Sequence, residues 1–157
     1  MTMKIPKMIA VAAAVGALAV LCCAARAELK PIVLPAPKMD GGMPLMQALK
    51  QRSTSRDFSA EPLPEQTLSN LLWAAFGINR PESGKRTAPS AMNWQEIEMY
   101  VALQQGLYIY NAAKHSLDPV LEGDMRAKTG MQPMAAQAPV SIVFVADFAK
   151  MKGVSAK

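Results

Sequence analysis

Two arginines with three hydroxyl residues between them form the first candidate site of the chain. The segment is Arg52-Ser53-Thr54-Ser55-Arg56. A guanidinium group offers paired planar donors to phosphate oxygens, and a hydroxyl group adds a neutral donor beside it. The segment therefore fits a phosphate monoester. The alternative is a helix end, with Arg52 at the negative end of the helix dipole and a hydroxyl-rich turn after it.

The second candidate site is a loop of small and polar residues at positions 87–95. Small residues let a ligand approach the backbone. Ser90, Asn93 and Gln95 supply hydroxyl and amide groups that can hydrogen-bond the edge of a heteroaromatic ring. The alternative is an ordinary surface loop in which Trp94 anchors the chain to the core.

These sites must be positioned by a domain that combines helices and strands. Apolar spacing predicts an amphipathic helix over 43–52 and a second helix from Pro64 to Gly77. Alternating patterns predict strands over 96–103 and 106–111, joined as a hairpin, and the apolar run 140–146 predicts a strand buried on both faces. The remaining predictions are a loop over 78–93, a turn over 115–119, and a helix over 121–134 that breaks at Gly130 and Pro133. The order of elements favours an α+β layered fold.

Two charged features outside the candidate sites are expected to be solvated. His115, the only histidine, lies in a predicted turn, and a surface position is favoured over a metal ligand because a metal site needs several donors. Lys85 and Arg86 lie in the polar loop, where the alternative is contact with an anionic substrate. The sequence predicts no metal ligands.

Four motifs, in order along the chain, resemble the nitroreductase family of flavin-dependent oxidoreductases. Positions 44–58 are similar to the family's opening helix and Arg-rich motif, and 63–77 are similar to its pattern L-x-x-L-L-x-A-A-x-G. Positions 88–93 are similar to its Ala-Pro-Ser-x-x-Asn segment. Positions 106–110, with the His-x-Leu turn that follows, look like the exported branch related to thiazoline oxidases. The resemblance implies a nitroreductase-like layered sheet with helices.

The resemblance implies FMN as the cofactor. In the family the Arg-rich motif holds the FMN phosphate and ribityl chain, and the Pro-Ser-x-x-Asn loop borders the isoalloxazine ring. Ser53 stands where the family usually has Arg or His, so one cationic contact is absent. The cofactor-binding residues implied for this chain are Arg52, Ser53, Thr54, Arg56, Ser90 and Asn93.

The resemblance also implies an assembly and a reaction. Family members are homodimers with FMN in the interface. Flavin N5 accepts a hydride from NAD(P)H and passes it to a nitro group, a quinone or a similar small-molecule acceptor. The flavin supplies this chemistry and the protein supplies position and hydrogen bonds, so no catalytic residue is assigned.

The first 27 residues have the features of an export signal. Lys4 and Lys7 precede an uncharged run at 8–25, and the sequence Ala-Arg-Ala at 25–27 fits a signal peptidase site. These features predict a periplasmic protein that begins at Glu28. The alternative is a membrane anchor retained at 8–25.

Charge and cysteine content exclude several classes of protein. The 157 residues carry 17 basic and 12 acidic side chains, and because three of the basic ones lie within 1–27, the remainder carries only +2. Such a chain lacks the basic surface of a nucleic-acid-binding protein, and no membrane association is expected after signal cleavage. Both cysteines also lie within 1–27, which excludes disulfide scaffolds, cysteine nucleophiles and thiolate metal sites in the rest.

The exported part divides into a Pro- and Gly-rich lead-in at 28–42 and a nitroreductase-like domain at 43–157. The family continues after the 140–146 strand with a central helix, a further strand and a late basic residue. The chain therefore resembles the first two-thirds of the fold, without the C-terminal third. An exported FMN-dependent oxidoreductase is the first hypothesis. The alternative is a truncated, catalytically inactive member that binds a ligand or a partner.

Overall fold

The computed structural model describes residues 28–59 and 61–151. The predicted signal peptide, and with it the alternative anchor, lies outside the described residues. Within them, no helix has both the length and the hydropathy that crossing a membrane requires. Helices and a five-stranded antiparallel sheet give the mixed α+β class that the sequence predicts.

The sheet has the strand order β1-β6-β5-β4-β7, and β2 and β3 form a separate two-stranded hairpin. The strands are β1 Ile32–Val33, β2 Ile78–Arg80, β3 Lys85–Arg86, β4 Ile97–Leu103, β5 Gly106–Asn111, β6 Ser116–Glu122 and β7 Ser141–Ala146. The helices are α1 Leu45–Gln51 and α2 Glu65–Phe76, and short 3-10 turns lie at Ala91–Asn93, Arg126–Lys128, Pro133–Ala136 and Phe148–Lys150.

The predicted hairpin of β4 and β5 is confirmed and lies inside the sheet. Leu103 pairs with Gly106 across the two-residue turn of Gln104 and Gln105. A Cβ atom at Gly106 would lie 2.9 Å from the Leu121 carbonyl oxygen of β6. The absence of a side chain at Gly106 therefore lets β5 and β6 approach each other closely.

Helix α2 packs against one face of this sheet and closes the hydrophobic core. Leu68, Leu72 and Phe76 recur every four residues, so they share one helix face, and all three are buried. Pro64 precedes the first turn and Gly77 ends the helix, as predicted. The buried residues that complete this core are Leu34, Met99, Val101, Tyr108, Tyr110 and Leu117.

The proline-rich lead-in is an integral edge of the sheet. Ile32 and Val33 pair with β6, and the backbone N–H of Leu34 donates to the His115 carbonyl oxygen (3.1 Å). The Leu34 side chain is buried in the core. Because prolines lack a backbone donor, the segment is extended and lies at an edge where few ladder bonds are required.

The predicted turn over 115–119 and the predicted helix over 121–134 are wrong. Ser116–Glu122 is strand β6, which pairs with β1 on one side and β5 on the other, and only 3-10 turns follow it. Leu117 is fully buried in the core. Burial and pairing with strands on both sides outweigh the local turn preference of Asp118 and Pro119.

Two further predictions are confirmed only in part. The segment 78–93 contains the hairpin of β2 and β3 and a 3-10 turn, in place of a plain loop. Strand β7 forms at 141–146, but among the described residues its single neighbour is β4, and Phe144 is 56% exposed. The β-branched run therefore predicts the strand correctly and its burial on both faces wrongly.

Candidate functional site

A cavity of about 410 Å³ opens where the end of α2, the β2-β3 hairpin and the loop before β4 meet. This volume falls in the range of small-molecule sites. Its lining residues are Phe76, Arg80, Lys85, Arg86, Ala88, Pro89, Ser90, Asn93 and Gln95. The cavity thus brings together the three polar residues of the second candidate site.

The hydroxyl of Ser90 fixes the conformation of the loop at 87–95 through two hydrogen bonds. It donates to Glu96 Oε2 (2.9 Å) and accepts from the backbone N–H of Gln95 (2.7 Å). A serine hydroxyl has one proton, so Ser90 has no donor left for a ligand. Its side chain positions the loop and can meet a ligand only as an acceptor.

The backbone of the loop is held in an uncommon conformation. Met92, Asn93 and Gln95 have φ values of 52°, 55° and 48°, in the left-handed region that residues with a side chain rarely adopt. Strained residues of this kind cluster at binding sites and persist where surrounding bonds fix them. Here the bonds made by Ser90 and Gln95 fix the loop.

Asn93 presents a free donor at the cavity. Its Oδ1 accepts from Gln95 Nε2 (3.3 Å), and the same Gln95 amide donates to the Gly84 carbonyl oxygen (3.2 Å). Among the described residues the Asn93 Nδ2 group has no partner. It can therefore donate to the polar edge of a bound ring.

Arg86 is half-buried under the cavity, which corrects the prediction that it is solvated. Its guanidinium lies 4.4 Å from the centre of the Phe76 ring, and it donates to the Phe76 carbonyl oxygen (3.2 Å) and to Gln95 Oε1 (3.1 Å). Burial lowers the pKa of Arg86, yet an arginine stays charged at neutral pH. Arg86 therefore ties the end of α2 to the loop, by contacts that a local pattern does not reveal.

The Arg52–Arg56 segment lies in an exposed stretch directly after α1. Arg52 has extended backbone angles, and its N–H donates to the Leu49 carbonyl oxygen (3.3 Å). Within the described ranges, neither the Arg52 nor the Arg56 guanidinium has a hydrogen-bond or ion-pair partner. Neither residue lines the 410 Å³ cavity. One chain therefore does not bring the two candidate sites together.

The side chains present fit the two ends of an FMN molecule. Two guanidiniums without an acidic partner, with the hydroxyls of Ser53 and Thr54 between them, match the needs of a phosphate dianion. The free Nδ2 group of Asn93 and the small residues beside it match a heteroaromatic ring edge. The donor chemistry fits, although the two parts belong to separate surfaces of the chain.

A polar network around His115 was not predicted from the sequence. His115 Nε2 lies 3.0 Å from the Pro35 carbonyl oxygen and 2.8 Å from Ser69 Oγ, and its Nδ1 lies 2.9 Å from the Tyr110 hydroxyl. Because the Pro35 carbonyl oxygen can only accept a hydrogen bond, His115 Nε2 is the donor of that bond. The network joins the lead-in, α2 and β5, so His115 is not the simple surface residue that was predicted.

We expect Tyr110 to make the fold sensitive to alkaline pH. Burial raises the pKa of Tyr110 to about 12, above the ordinary value near 10. The folded chain keeps a proton that the unfolded chain releases. The contribution of Tyr110 to the free energy of unfolding is therefore fully present below about pH 10 and falls by roughly 1.4 kcal/mol per pH unit up to about pH 12.

Urea unfolding from pH 9 to 11 tests this expectation. The fall in unfolding free energy should be smaller in Tyr110→Phe than in the unchanged protein. Burial also raises the pKa of Tyr100, on the neighbouring strand, but by less, so Tyr100→Phe should retain more of the fall than Tyr110→Phe. An identical pH dependence in Tyr110→Phe and the unchanged protein contradicts the prediction.

Comparisons with known proteins agree with this architecture. A sequence model of the nitroreductase family matches residues 49–157. The chain is 28% identical over 114 residues to the "putative nitroreductase" of Methanocaldococcus jannaschii, a match that covers 66% of this chain and 57% of the relative. The crystal structure of the "putative nitroreductase" of Ralstonia eutropha JMP134 is similar with a TM-score of 0.74 and 44% identity, over 80% of this chain and 60% of that one.

A more distant likeness concerns the fold alone. A chain of the E. coli microcin synthetase McbBCD complex is similar over 96% of this chain and 58% of that one, with a TM-score of 0.50 and 19% identity. This chain thus spans about three-fifths of the length of each of the three proteins.

Proposed function

Because the chain belongs to the nitroreductase family, whose proteins generally bind FMN, we propose that it is an exported FMN-dependent oxidoreductase. It transfers electrons from NAD(P)H to a nitro compound, a quinone or a similar acceptor. The observation that carries this proposal is the pair of unpartnered guanidiniums at Arg52 and Arg56, with hydroxyl groups between them. A phosphate dianion is the ligand that satisfies such a set.

Each side chain has a defined task in this proposal. Arg52 and Arg56 bind the phosphate, and Ser53 and Thr54 add neutral donors. The Asn93 Nδ2 group donates to the ring edge, while Ser90 keeps the loop in its left-handed conformation. The chemistry that FMN would supply is two-electron transfer, in which a hydride from NAD(P)H is passed on to the acceptor together with one proton from solvent.

A second copy of the chain would join the two halves of the site. Helix α1 buries none of its residues, and its apolar Leu45, Met46 and Leu49 are 71%, 75% and 55% exposed. These three side chains lie on one helix face, the arrangement that packs against a partner. Because α1 leads directly into Arg52, a partner that covers it lies beside the phosphate-binding segment. We therefore infer a homodimer with FMN in its interface.

Export and the branch of the family remain proposals drawn from sequence patterns. Export rests on the basic residues, the uncharged run and the small residues of positions 1–27. The likeness to the branch related to thiazoline oxidases rests on positions 106–110, which form β5.

An inactive ligand-binding protein is the second candidate function. Ser53 in place of a family Arg or His favours it, because a weaker phosphate site holds FMN less tightly. This candidate differs from the first in one measurable respect, since it binds without turnover.

Turnover of the FMN-loaded chain tests the proposed function. NADH or NADPH is mixed with the loaded protein and 1,4-benzoquinone or nitrobenzene under anaerobic conditions, and nicotinamide absorbance is followed. We expect saturable oxidation by the unchanged protein and by Lys114→Ala/Lys128→Ala, which removes two exposed charges elsewhere. We expect strong loss in Arg52→Ala/Arg56→Ala. Binding of FMN without turnover with either donor would favour the inactive ligand-binding protein.

A further inference from the structure

The 410 Å³ cavity has basic residues on its wall and no acidic ones. Arg80, Lys85 and Arg86 line it, and neither Asp nor Glu is among its lining residues. Glu96, the acid bonded to Ser90, lies outside that lining. A cleft walled by charge of one sign concentrates ligands of the opposite sign. The cavity is therefore electrostatically suited to an anion.

The three basic side chains differ in how many of their hydrogen-bond donors already have a partner. Arg86 is fixed by Phe76 and Gln95. Arg80 donates from Nη2 to the Arg86 carbonyl oxygen (2.8 Å) and from Nε to Asn79 Oδ1 (3.2 Å), which leaves its Nη1 group. The Lys85 ammonium has no partner within the described part of the chain. Lys85 and Arg80 thus hold the donors that remain for a ligand.

We propose that this cavity binds the anionic group, a carboxylate or a phosphate, of the small molecule that exchanges electrons with the cofactor. Lys85 supplies the charge, and the remaining Nη1 donor of Arg80 supplies directional hydrogen bonds. The role in electron exchange rests on the proposed function, whereas anion binding depends only on the cavity. This anion is distinct from the FMN phosphate, since Arg52 and Arg56 do not line the cavity.

The hairpin explains why these residues meet. Strands β2 and β3 pair antiparallel, with Arg80 opposite Lys85 across the turn, so their side chains are cross-strand neighbours. Two like charges opposite each other are destabilising without an anion. The turn between them has Gly84 at φ 63°, which only glycine adopts readily. An anion that bridges the two cations relieves their repulsion.

Calorimetry on the cofactor-free full chain tests the proposal without relying on FMN. The probes are 4-nitrobenzoate, phenyl phosphate and the neutral 4-nitrobenzyl alcohol. We expect one or both anions to bind about fivefold to twentyfold more tightly than the alcohol, with the stronger anion identifying the group recognised. Arg80→Gln/Lys85→Gln should abolish this preference. Lys114→Gln/Lys128→Gln, the charge-matched control, should retain it.

If the double variant does not fold, two measurements on the single variant Lys85→Gln still test the proposal. Lys85→Gln changes an exposed side chain that has no hydrogen-bond or ion-pair partner among the described residues, and it should lower the preference severalfold on its own. FMN affinity in Lys85→Gln should stay within about twofold of the unchanged protein. A preference that survives Lys85→Gln, the absence of any preference in the unchanged protein, or a tenfold loss of FMN affinity in Lys85→Gln overturns the proposal. A chain that ignores FMN but prefers the anions contradicts only the proposed function.

Discussion

The double variant Arg52→Ala/Arg56→Ala is expected to lose FMN affinity by about 100-fold or more, because each guanidinium would make charged hydrogen bonds to the phosphate. Both side chains are exposed and unpartnered within the described residues, so their removal leaves the fold intact. Fluorescence titration of FMN gives the affinity. Circular dichroism checks that the variant is folded.

Riboflavin provides the matched ligand for this prediction, since it differs from FMN only by lacking the phosphate. The unchanged protein should prefer FMN to riboflavin strongly, and the double variant should bind the two alike. Lys114→Ala/Lys128→Ala should behave as the unchanged protein. An equal loss of affinity for FMN and riboflavin would place the arginines away from the phosphate and contradict their assigned role.

Leu72→Ala is expected to lower the free energy of unfolding by about 2–5 kcal/mol. The Leu72 side chain is fully buried in the centre of α2, where it faces the strands of the sheet. Its truncation removes apolar contacts and leaves a cavity that close-packed neighbours fill only in part. Chemical denaturation followed by circular dichroism measures the change.

Leu71→Ala is the control for this prediction, because Leu71 precedes Leu72 in the same helix and is 42% exposed. The same deletion there should cost well under half as much. Similar losses at the two positions would contradict the placement of α2 on the sheet.

Local sequence pattern was sufficient to predict helix α2 and the hairpin of β4 and β5. In α2 the four-residue repeat of Leu68, Leu72 and Phe76, with Pro64 and Gly77 at its ends, identifies both the helix and its buried face. In β4 and β5 the alternation and Gly106 identify the hairpin. These features depend on neighbours in the chain, which a single sequence displays.

Pairing on both sides accounts for strand β6, which the sequence did not predict. Strand β6 contains Pro119, which suggests a turn, but β1 and β5 pair with the strand from both sides. The register of β5 with β6 shifts between Leu107 and Tyr108, beside the position opposite Pro119, so the proline is accommodated at an irregularity. Pairing and burial therefore outweigh the local signal of the proline.

The candidate site also combines features that residue type indicates with features that depend on contacts between separate elements. Polar residue type was sufficient to single out Ser90 and Asn93, which the structure places at the cavity. It could not reveal that Arg86 stacks on Phe76 or that His115 bridges Pro35 and Tyr110, because these contacts join separate elements. Residue chemistry therefore indicates candidates, and tertiary packing decides which of their donors remain free.

Titration of the unchanged full chain with FMN, followed by its visible absorption and fluorescence, tests the central claim most directly. We expect a perturbed flavin spectrum and quenched fluorescence that saturate at one FMN per chain, as the two halves of the site predict for a homodimer. A flavin spectrum that stays identical to free FMN at every protein concentration would contradict the claim that this chain binds the cofactor.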